Sequence, residues 1–301
     1  MHKEEIQFTS VGETVRGDLY RPEGVEGPLP VVVMAGGWCY VKELRQPEYA
    51  KAFVDAGMAA LIFDYRRFGA SDGTPRQHID PWDQIEDYKN AISYLETRHD
   101  VDPGRIGAWG ISYSGGHALI LAAVEPRIRA AVSNVPVIAG YQTMWRVHGS
   151  ERFRLLKEAI LEDRRKRFTT GEHGSIPMSA DPSAGLSTWP FDEVRTVFEE
   201  LRATQAPRHE HWNTIASVEL LMQYDASAYV SRIIDTPVLM VTAAGDDITL
   251  EDLEIAAYNG ITNPTKKLVV LPETTHMTLY SNVSRLELAA NAAAEWYGEH
   301  L

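Results

Sequence analysis

The chain has 301 residues and a formal net charge of −13, so it is long enough for one large domain with its own hydrophobic core. The negative charge disfavours binding to nucleic acid or to an anionic membrane, because like charges repel. The single cysteine, Cys39, cannot form an internal disulfide. No apolar run approaches the ~20 residues of a membrane span, and the first residues do not form an apolar leader. We therefore expect a cytoplasmic protein that acts on a small molecule, and a homodimer is left open.

Short apolar runs alternate with amphipathic segments along most of the chain. An opening hairpin is predicted at residues 4–20, and further strands are predicted at 29–37, 58–65, 105–111, 128–135, 236–244 and 266–273. Helices are predicted at 43–57, where Gly57 would form the C-terminal cap, and at 81–99, 115–125, 249–260 and 284–301. Because strands that are apolar on both faces are typical of buried parallel sheets, this alternation predicts an α/β fold with a doubly wound, mostly parallel sheet.

The alternation stops between Pro136 and Asp235. Residues 137–231, called the insertion below, contain segments with helical periodicity at 151–168, 191–203 and 212–230, together with a Gly-, Ser- and Pro-rich stretch at 169–190. We therefore predict a core formed by residues 1–136 and 232–301, with the insertion as a helical cap over one end of the sheet.

A serine lies at a cramped junction between a predicted strand and a predicted helix, in the sequence GISYSGG at residues 110–116. Ligands of parallel sheets bind beyond the carboxyl ends of the strands, and a sharp turn there exposes a hydroxyl group beside the free N–H groups of the helix. Ser112 is therefore a candidate nucleophile. The sequence departs from the pattern G-x-S-x-G at Ser114, and the alternative is a glycine-rich helix start in which Ser112 only caps the helix.

A serine nucleophile needs a base that takes its proton and an acid that orients the base, and in this type of sheet they follow in the order Ser, Asp, His. Asp246 and Asp247 come soon after one predicted strand, and His276 comes after the next. We predict His276 as the base, and Asp246 as the acid because it stands where the loop turns back over the sheet. Asp247 remains the alternative acid, and a surface-loop histidine is the alternative interpretation of His276.

Three histidines of the insertion, His148, His209 and His211, are rivals of His276, but none of them follows a core strand. His209 and His211 also suggest a zinc site. Residues at positions i and i+2 do not share a helix face, however, and no third ligand stands out. We therefore predict neither a metal ion nor an organic cofactor.

An oxyanion hole needs two backbone N–H donors, one from the residue after the nucleophile and one from the loop after the strand at 29–37. The first is Tyr113. Gly37 would let the loop approach the substrate, so the N–H of Trp38 is the second predicted donor. The alternative is an ordinary glycine turn in which Trp38 packs in the core. Cys39 is interpreted as a small buried side chain, because the sequence places no base beside it.

Residues 63–73 (FDYRRFGASDG) resemble the D-x-R-x-x-G-x-S-x-G stretch that follows the fourth strand of α/β-hydrolases, and residues 101–116 resemble the strand and nucleophile turn of that superfamily. Residues 32–53 and 79–96 are similar to the dienelactone-hydrolase-like group and, more closely, to fungal polyketide transferases and thiohydrolases. Gly36 departs from the superfamily pattern, because many members carry a histidine there. The resemblance implies an α/β-hydrolase fold and these roles: Ser112 as nucleophile, Asp246 as acid, His276 as base, and Trp38 and Tyr113 as oxyanion donors.

These observations predict a serine hydrolase that cleaves a carboxylic ester or thioester through an acyl-enzyme on Ser112. One alternative is an acyltransferase that moves a polyketide-type acyl chain to an alcohol. Another is a ligand receptor on the same fold that has lost turnover. The Trp, Met and Leu residues of the insertion are expected to line an acyl pocket, or else only to pack the insertion on the sheet. An insertion of this size favours a bulky or long acyl chain.

Overall fold

Ten β-strands are present in the computed structural model, which describes residues 1–301. They are β1 (His2–Ser10), β2 (Glu13–Arg21), β3 (Leu29–Ala35), β4 (Ala59–Phe63), β5 (Val101–Ile111), β6 (Ile128–Asn134), β7 (Ser175–Pro177), β8 (Trp212–Thr214), β9 (Val238–Ala243) and β10 (Lys266–Leu271). All except β7 and β8 belong to one eight-stranded sheet, and those two form a separate ribbon.

The strand order of the sheet is β1-β2-β4-β3-β5-β6-β9-β10. The hairpin β1–β2 and the pair β2–β4 are antiparallel, and all other neighbours in the sheet are parallel. Every residue of β4 and β9 is buried, which explains why these strands are apolar on both faces. The predicted α/β fold with a doubly wound, mostly parallel sheet is confirmed. The carboxyl ends of the parallel strands meet at one edge, where ligands of such sheets bind.

Ten α-helices accompany the strands: α1 (Gln46–Asp55), α2 (Pro81–Glu96), α3 (Tyr113–Val124), α4 (Gly140–Thr170), α5 (Asp192–Thr204), α6 (Ile215–Gln223), α7 (Ser227–Val230), α8 (Glu251–Gly260), α9 (Thr278–Ser281) and α10 (Val283–His300). Local signals explain several of their ends. The carboxylate of Asp80 accepts the N–H groups of Trp82 and Asp83 at the start of α2, and Gly57 adopts φ +86° just beyond α1. None of these helices combines the length and the hydropathy needed to cross a bilayer.

The insertion contains helices α4 to α7 and the ribbon β7–β8. Helix α4 starts earlier than the segment predicted at 151–168, and it bends at Gly149, where φ is +66°. The prediction of one helical segment at 212–230 is wrong, because residues Trp212–Thr214 form β8 and only then do α6 and α7 follow. The strands β7 and β8 are distant in the chain, and local periodicity does not reveal such a pairing.

The loop after β4 is organised around the buried carboxyl group of Asp64. Its oxygens accept the backbone N–H groups of Lys42 at 2.6 Å and of Ala70 at 2.8 Å. Gly69 has φ +50°, and a Cβ atom there would lie 2.3 Å from Asp64 Oδ2, so only glycine fits. Burial raises the pKa of Asp64 to about 7, although the two N–H groups act in the opposite direction. Residues 64–73, which follow β4, thus form a loop that is held in place by the carboxyl group of Asp64.

Tyr88 of α2 connects the two central strands β3 and β5. Its hydroxyl group donates to the carbonyl oxygen of Trp109 at 2.7 Å and accepts from the N–H of Ala35 at 2.9 Å. The variant Tyr88→Phe leaves both backbone groups without this partner, so the free energy of unfolding should fall by about 1–3 kcal/mol in urea denaturation. Tyr258→Phe is the control, because the Tyr258 hydroxyl lies 3.5 Å from the Lys266 carbonyl, and its change should stay below about 0.5 kcal/mol. Equal losses in the two variants would contradict the prediction.

Candidate active site

Ser112 forms the turn between the carboxyl end of β5 and the start of α3. Its backbone has φ +58° and ψ −120°, a conformation that costs a non-glycine residue about 1–3 kcal/mol. Three backbone hydrogen bonds hold it: the Ser112 N–H donates to the carbonyl of Asn134 at 2.9 Å, and the Ser112 carbonyl accepts from Gly115 at 2.9 Å and from Val137 at 3.0 Å. Strained residues that are fixed in this way cluster at functional sites. The predicted nucleophile therefore occupies the kind of turn that its proposed role requires.

Ser114 replaces the last glycine of the pattern G-x-S-x-G and is built into the same turn. Its hydroxyl group donates to the carbonyl of Ala35 at 2.7 Å and accepts from the N–H of Ile111 at 3.1 Å. The side chain therefore joins the end of β3 to the end of β5. A Cβ atom at Gly110 would lie 2.0 Å from the Ser114 carbonyl oxygen, so this neighbouring position must be glycine. The departure from the pattern adds hydrogen bonds to the turn without disturbing its path.

Asp246 follows β9 and His276 follows β10, and their side chains form a buried pair. His276 Nδ1 lies 2.8 Å from Asp246 Oδ2, while Asp246 Oδ1 accepts the N–H groups of Ile248 and Thr249, both at 2.9 Å. Burial raises the pKa of Asp246, but the charge of His276 and these hydrogen bonds outweigh burial and hold the pKa below its usual range. An ionised Asp246 only accepts, so it fixes the tautomer of His276 with hydrogen on Nδ1. Asp247, by contrast, is exposed.

Ser112 and His276 line the same cavity. Its other walls are aromatic or aliphatic side chains: Trp38, Tyr40, Met178, Trp189, Val194, Phe198, Ile248, Met277 and Tyr280. The free volume of this cavity is about 20 Å³. The cavity is therefore narrow and apolar, with room for very little water. No Asp, Glu, Lys or Arg side chain belongs to its walls.

Tyr280 of α9 packs beside both polar side chains of the cavity. Its ring is stacked on the ring of His276, with centroids 5.6 Å apart and planes at 23°. Burial raises the pKa of Tyr280, and the Ser112 hydroxyl group acts in the opposite direction. The sequence pattern did not point to this residue, because the segment after His276 has no clear periodicity before α10.

A second buried carboxyl group lies behind the pair of Asp246 and His276. Thr249 Oγ1 is 3.2 Å from His276 Nδ1 and donates to Glu254 Oε1 at 2.8 Å. Burial, together with the charge of Asp246, raises the pKa of Glu254 well above its usual range. Glu254 therefore keeps its proton to a higher pH than an ordinary glutamic acid. Neither residue was predicted, because an acidic first turn is common to many helices such as α8.

The loop after β3 approaches Ser112 closely. A Cβ atom at Gly37 would lie 2.8 Å from Ser112 Cβ, so this position must be glycine. The N–H of Trp38 donates to no group of the protein, and the N–H of Tyr113, at the first position of α3, has no intrahelical acceptor. The Trp38 ring packs against the Tyr113 ring with centroids 5.1 Å apart. The side chain of Trp38 thus packs in the core while its backbone N–H group is free. The core-packing role and the oxyanion-donor role predicted for Trp38 are therefore compatible.

Two other residues of this loop have structural explanations. A Cβ atom at Gly36 would lie 1.8 Å from Tyr40 Cδ1, so the ring of Tyr40 leaves no room for a side chain there. This packing accounts for the glycine at this position. Cys39 is buried, in agreement with its interpretation, and burial raises the pKa of its thiol.

The three rival histidines of the insertion do not line the cavity. His148 Nε2 donates to the carbonyl of Thr188 at 3.0 Å, and His209 Nε2 lies 3.1 Å from His211 Nδ1. No group of three or more His, Cys, Asp or Glu side chains is arranged to hold a metal ion.

Comparisons with known proteins identify the family of the chain. The sequence pattern of the X-Pro dipeptidyl-peptidase (S15) family matches residues 12–278 of this chain. Thiohydrolase apmlB of Arthrinium phaeospermum is 30% identical over 278 residues, which cover 88% of this chain and 86% of that protein. Polyketide transferase claH of Penicillium crustosum is 28% identical over 295 residues, which cover 93% and 92% of the two chains.

Among solved structures, α/β hydrolase GrgF from Penicillium sp. sh18 superposes with a TM-score of 0.84 at 24% identity, covering 100% of this chain and 99% of that chain. This similarity confirms the α/β-hydrolase fold. The matches to a thiohydrolase and a polyketide transferase confirm the resemblance to those fungal enzymes. The chain is therefore an enzyme of the α/β-hydrolase superfamily and belongs to the X-Pro dipeptidyl-peptidase (S15) family.

Proposed function

We propose that the protein cleaves a carboxylic ester or thioester through an acyl-enzyme formed on Ser112, with His276 as the base and Asp246 as the residue that orients it. One observation carries the proposal. His276, which is joined to Asp246 at 2.8 Å, lines the same cavity as Ser112, a serine held at a strained turn between strand and helix. The relatives named thiohydrolase and polyketide transferase support the same class of chemistry at an acyl carbonyl.

In the first half of the proposed reaction, Ser112 Oγ attacks the acyl carbonyl carbon while its proton passes to His276 Nε2. Nε2 is the nitrogen that can take this proton, because Nδ1 donates to Asp246. The carbonyl oxygen becomes an oxyanion, which the N–H groups of Trp38 and Tyr113 stabilise together with the positive end of α3. The bond to the leaving group then breaks, and His276 gives its proton to the departing alcohol or thiol.

In the second half, a water molecule attacks the acyl carbon of the acyl-enzyme. His276 accepts a proton from this water and returns it to Ser112 Oγ as the carboxylic acid leaves. The ionised Asp246 stabilises the imidazolium that forms in both halves. These steps call for no metal ion and no organic cofactor.

The walls of the cavity favour an uncharged acyl group. A dipeptidyl-peptidase has to bind the free α-ammonium group of its substrate, and a buried ammonium group needs a carboxylate or several carbonyl groups as partners. No carboxylate belongs to the walls, which are apolar apart from Ser112, His276 and the hydroxyl groups of the tyrosines. We therefore propose esters or thioesters, and not X-Pro peptides, as the substrates.

The insertion contributes four walls of the cavity, Met178, Trp189, Val194 and Phe198. This contribution supports the proposal that residues 137–231 cap the core and line the acyl pocket. The free volume of the cavity, about 20 Å³, is far below the range for ligand pockets, so an acyl group of any size enters only after these side chains move. Short or flat acyl groups require the smallest movement, so we propose that they are preferred over the long chain expected from the size of the insertion.

Acyl transfer to an alcohol is the second candidate function. The cavity has room for very little water, and an acyl-enzyme in such surroundings is protected from hydrolysis. An acceptor alcohol that enters the cavity would then compete with water for the acyl group. The ratio of acid to ester products in the presence of added alcohols measures this competition, and exclusive release of acid at high alcohol concentration would rule transfer out.

Variants of the proposed triad test the mechanism. Ser112→Ala and His276→Ala should each lower kcat on a short-chain ester by ~10³-fold or more, and the double variant should lose little beyond that, because the residues act as a unit. Asp246→Asn should lower kcat nearly as much through the wrong imidazole tautomer. Asp247→Asn is the matched control, since it removes the adjacent exposed carboxylate, and it should keep nearly full activity.

Steady-state kinetics and labelling with a fluorophosphonate probe provide the measurements. Wild-type turnover by Ser112→Ala would overturn the proposed mechanism, and a crippled Asp247→Asn would show that the acid had been assigned to the wrong residue.

A series of p-nitrophenyl esters from acetyl to decanoyl tests the size of the acyl pocket. We expect kcat/KM to be highest for short acyl groups and to fall as the chain outgrows the cavity. Phe198→Ala removes a wall and should move the optimum toward longer chains, whereas Phe168→Ala, at a side chain that is 92% exposed, should leave the profile unchanged. A wild-type optimum at decanoyl would contradict the proposed narrow pocket.

A further inference from the structure

The loop that carries Trp38 is attached to the insertion by buried side-chain hydrogen bonds. Trp38 Nε1 donates to Asn213 Oδ1 of β8 at 2.9 Å, and both side chains are buried. Thr188 Oγ1 donates to the same oxygen at 2.9 Å. Asn213 Nδ2 donates to the carbonyl of Thr214 at 3.0 Å, which fixes the orientation of the amide group. The oxygen of one asparagine therefore accepts a donor from the loop and a donor from the insertion.

A second attachment holds the residue after Trp38. The carbonyl oxygen of Cys39 accepts from His209 Nδ1 at 3.1 Å, and the Cys39 thiol donates to the carbonyl of Trp212 at 3.4 Å. Cys39 itself has φ +53°, which is an unfavourable conformation for a residue other than glycine. The strained part of the loop is thus held by residues on the strand β8 and just before it.

The hydrogen bonds of His209 continue to His211 and Ser179 within the insertion. Every donor of this series points toward the carbonyl oxygen of Cys39. Because a carbonyl only accepts, Nδ1 of His209 carries the hydrogen and its Nε2 accepts from His211 Nδ1 at 3.1 Å. His211 Nε2 in turn accepts from the hydroxyl group of Ser179 at 2.7 Å. Burial lowers the pKa of His209 to about 3 and lowers that of His211, so both rings are neutral as this series of bonds requires. Each polar atom of the series has a partner, which makes the arrangement rigid.

We propose that Asn213 and His209 are positioning residues, which hold the oxyanion-hole loop so that the N–H of Trp38 stays beside Ser112. This inference rests on the proposed function, because it assigns the role of an oxyanion donor to Trp38. It adds that the insertion does not act as a free lid: at β8 it is a fixed support of the site. A shift of the loop by a fraction of an ångström would weaken the N–H bond to the oxyanion in the transition state, with little effect on binding of the acyl group.

Kinetics of substitutions at Asn213 test the proposal. Asn213→Leu keeps the size of the side chain but removes the acceptor, so kcat on a short-chain ester should fall by about 10- to 100-fold while KM changes little. Asn213→Asp keeps an oxygen that can accept from Trp38 and should restore most of kcat. Asn263→Leu is the matched control, because it removes another buried asparagine far from the loop in sequence, and it should keep the wild-type kcat.

Trp38→Phe provides an independent variant, since it removes the same Nε1–H while leaving Asn213 and Thr188 in place. It should reproduce the loss of kcat, and Trp38→Phe combined with Asn213→Leu should lose little more than either variant. A boronic acid inhibitor, which mimics the tetrahedral intermediate, should bind more weakly in step with kcat. If Asn213→Leu fails to fold, Trp38→Phe alone decides the question.

Labelling of the wild type separates the two levels of the proposal. If the wild-type protein neither reacts with a fluorophosphonate at Ser112 nor cleaves esters, the proposed function fails. If the wild type reacts and Asn213→Leu or Trp38→Phe keeps the wild-type kcat, or raises KM alone, the positioning role is overturned while the proposed function stands.

Discussion

The strained turn at Ser112 is held by hydrogen bonds to the two strands that flank β5 in the sheet. On one side the carbonyl of Asn134, at the end of β6, accepts the Ser112 N–H, and on the other side the carbonyl of Ala35, at the end of β3, accepts the Ser114 hydroxyl. The turn therefore depends on the strand order β3-β5-β6, and the strain of about 1–3 kcal/mol persists because the sheet holds its ends. The same edge brings the loops after β9 and β10 together, which pairs Asp246 with His276.

Much of the fold could be predicted because its signals are local. Apolar runs of strand length, amphipathic segments and glycine at the end of α1 give the alternation of strands and helices, and alternation implies the parallel sheet. Ser112 could be singled out by its position between a strand and a helix. The choice between Asp246 and Asp247 was open from sequence, because the difference lies in which side chain turns inward toward two N–H groups and a histidine.

What could not be predicted depends on contacts between distant parts of the chain. No periodic pattern in the sequence predicts these contacts: the ribbon β7–β8, the hydrogen bond from Trp38 to Asn213, and the stacking of Tyr280 on His276. The size of the proposed acyl pocket belongs to the same group, since four of the cavity walls are side chains of the insertion. Several apolar side chains of the insertion, such as Phe153, Leu156 and Leu221, are buried without lining the cavity, and the sequence does not separate these from the cavity walls. The family name likewise does not decide the substrate, because one fold supports many chemistries.

Buried histidines, including His209 beside the proposed oxyanion-hole loop, also make folding sensitive to acid. The pKa of His209 is lowered to about 3, and that of the core residue His117 is also about 3, whereas a histidine in an unfolded chain has an ordinary value of about 6.5. Between those values the unfolded chain binds protons that the folded chain does not, so the free energy of unfolding decreases as the pH falls. Asp64, with its pKa raised to about 7, and Glu254, with its pKa raised well above its usual range, have the opposite dependence and offset part of this effect. Because His209 holds the Cys39 carbonyl, the position of this loop depends on the same proton balance as the stability of the fold.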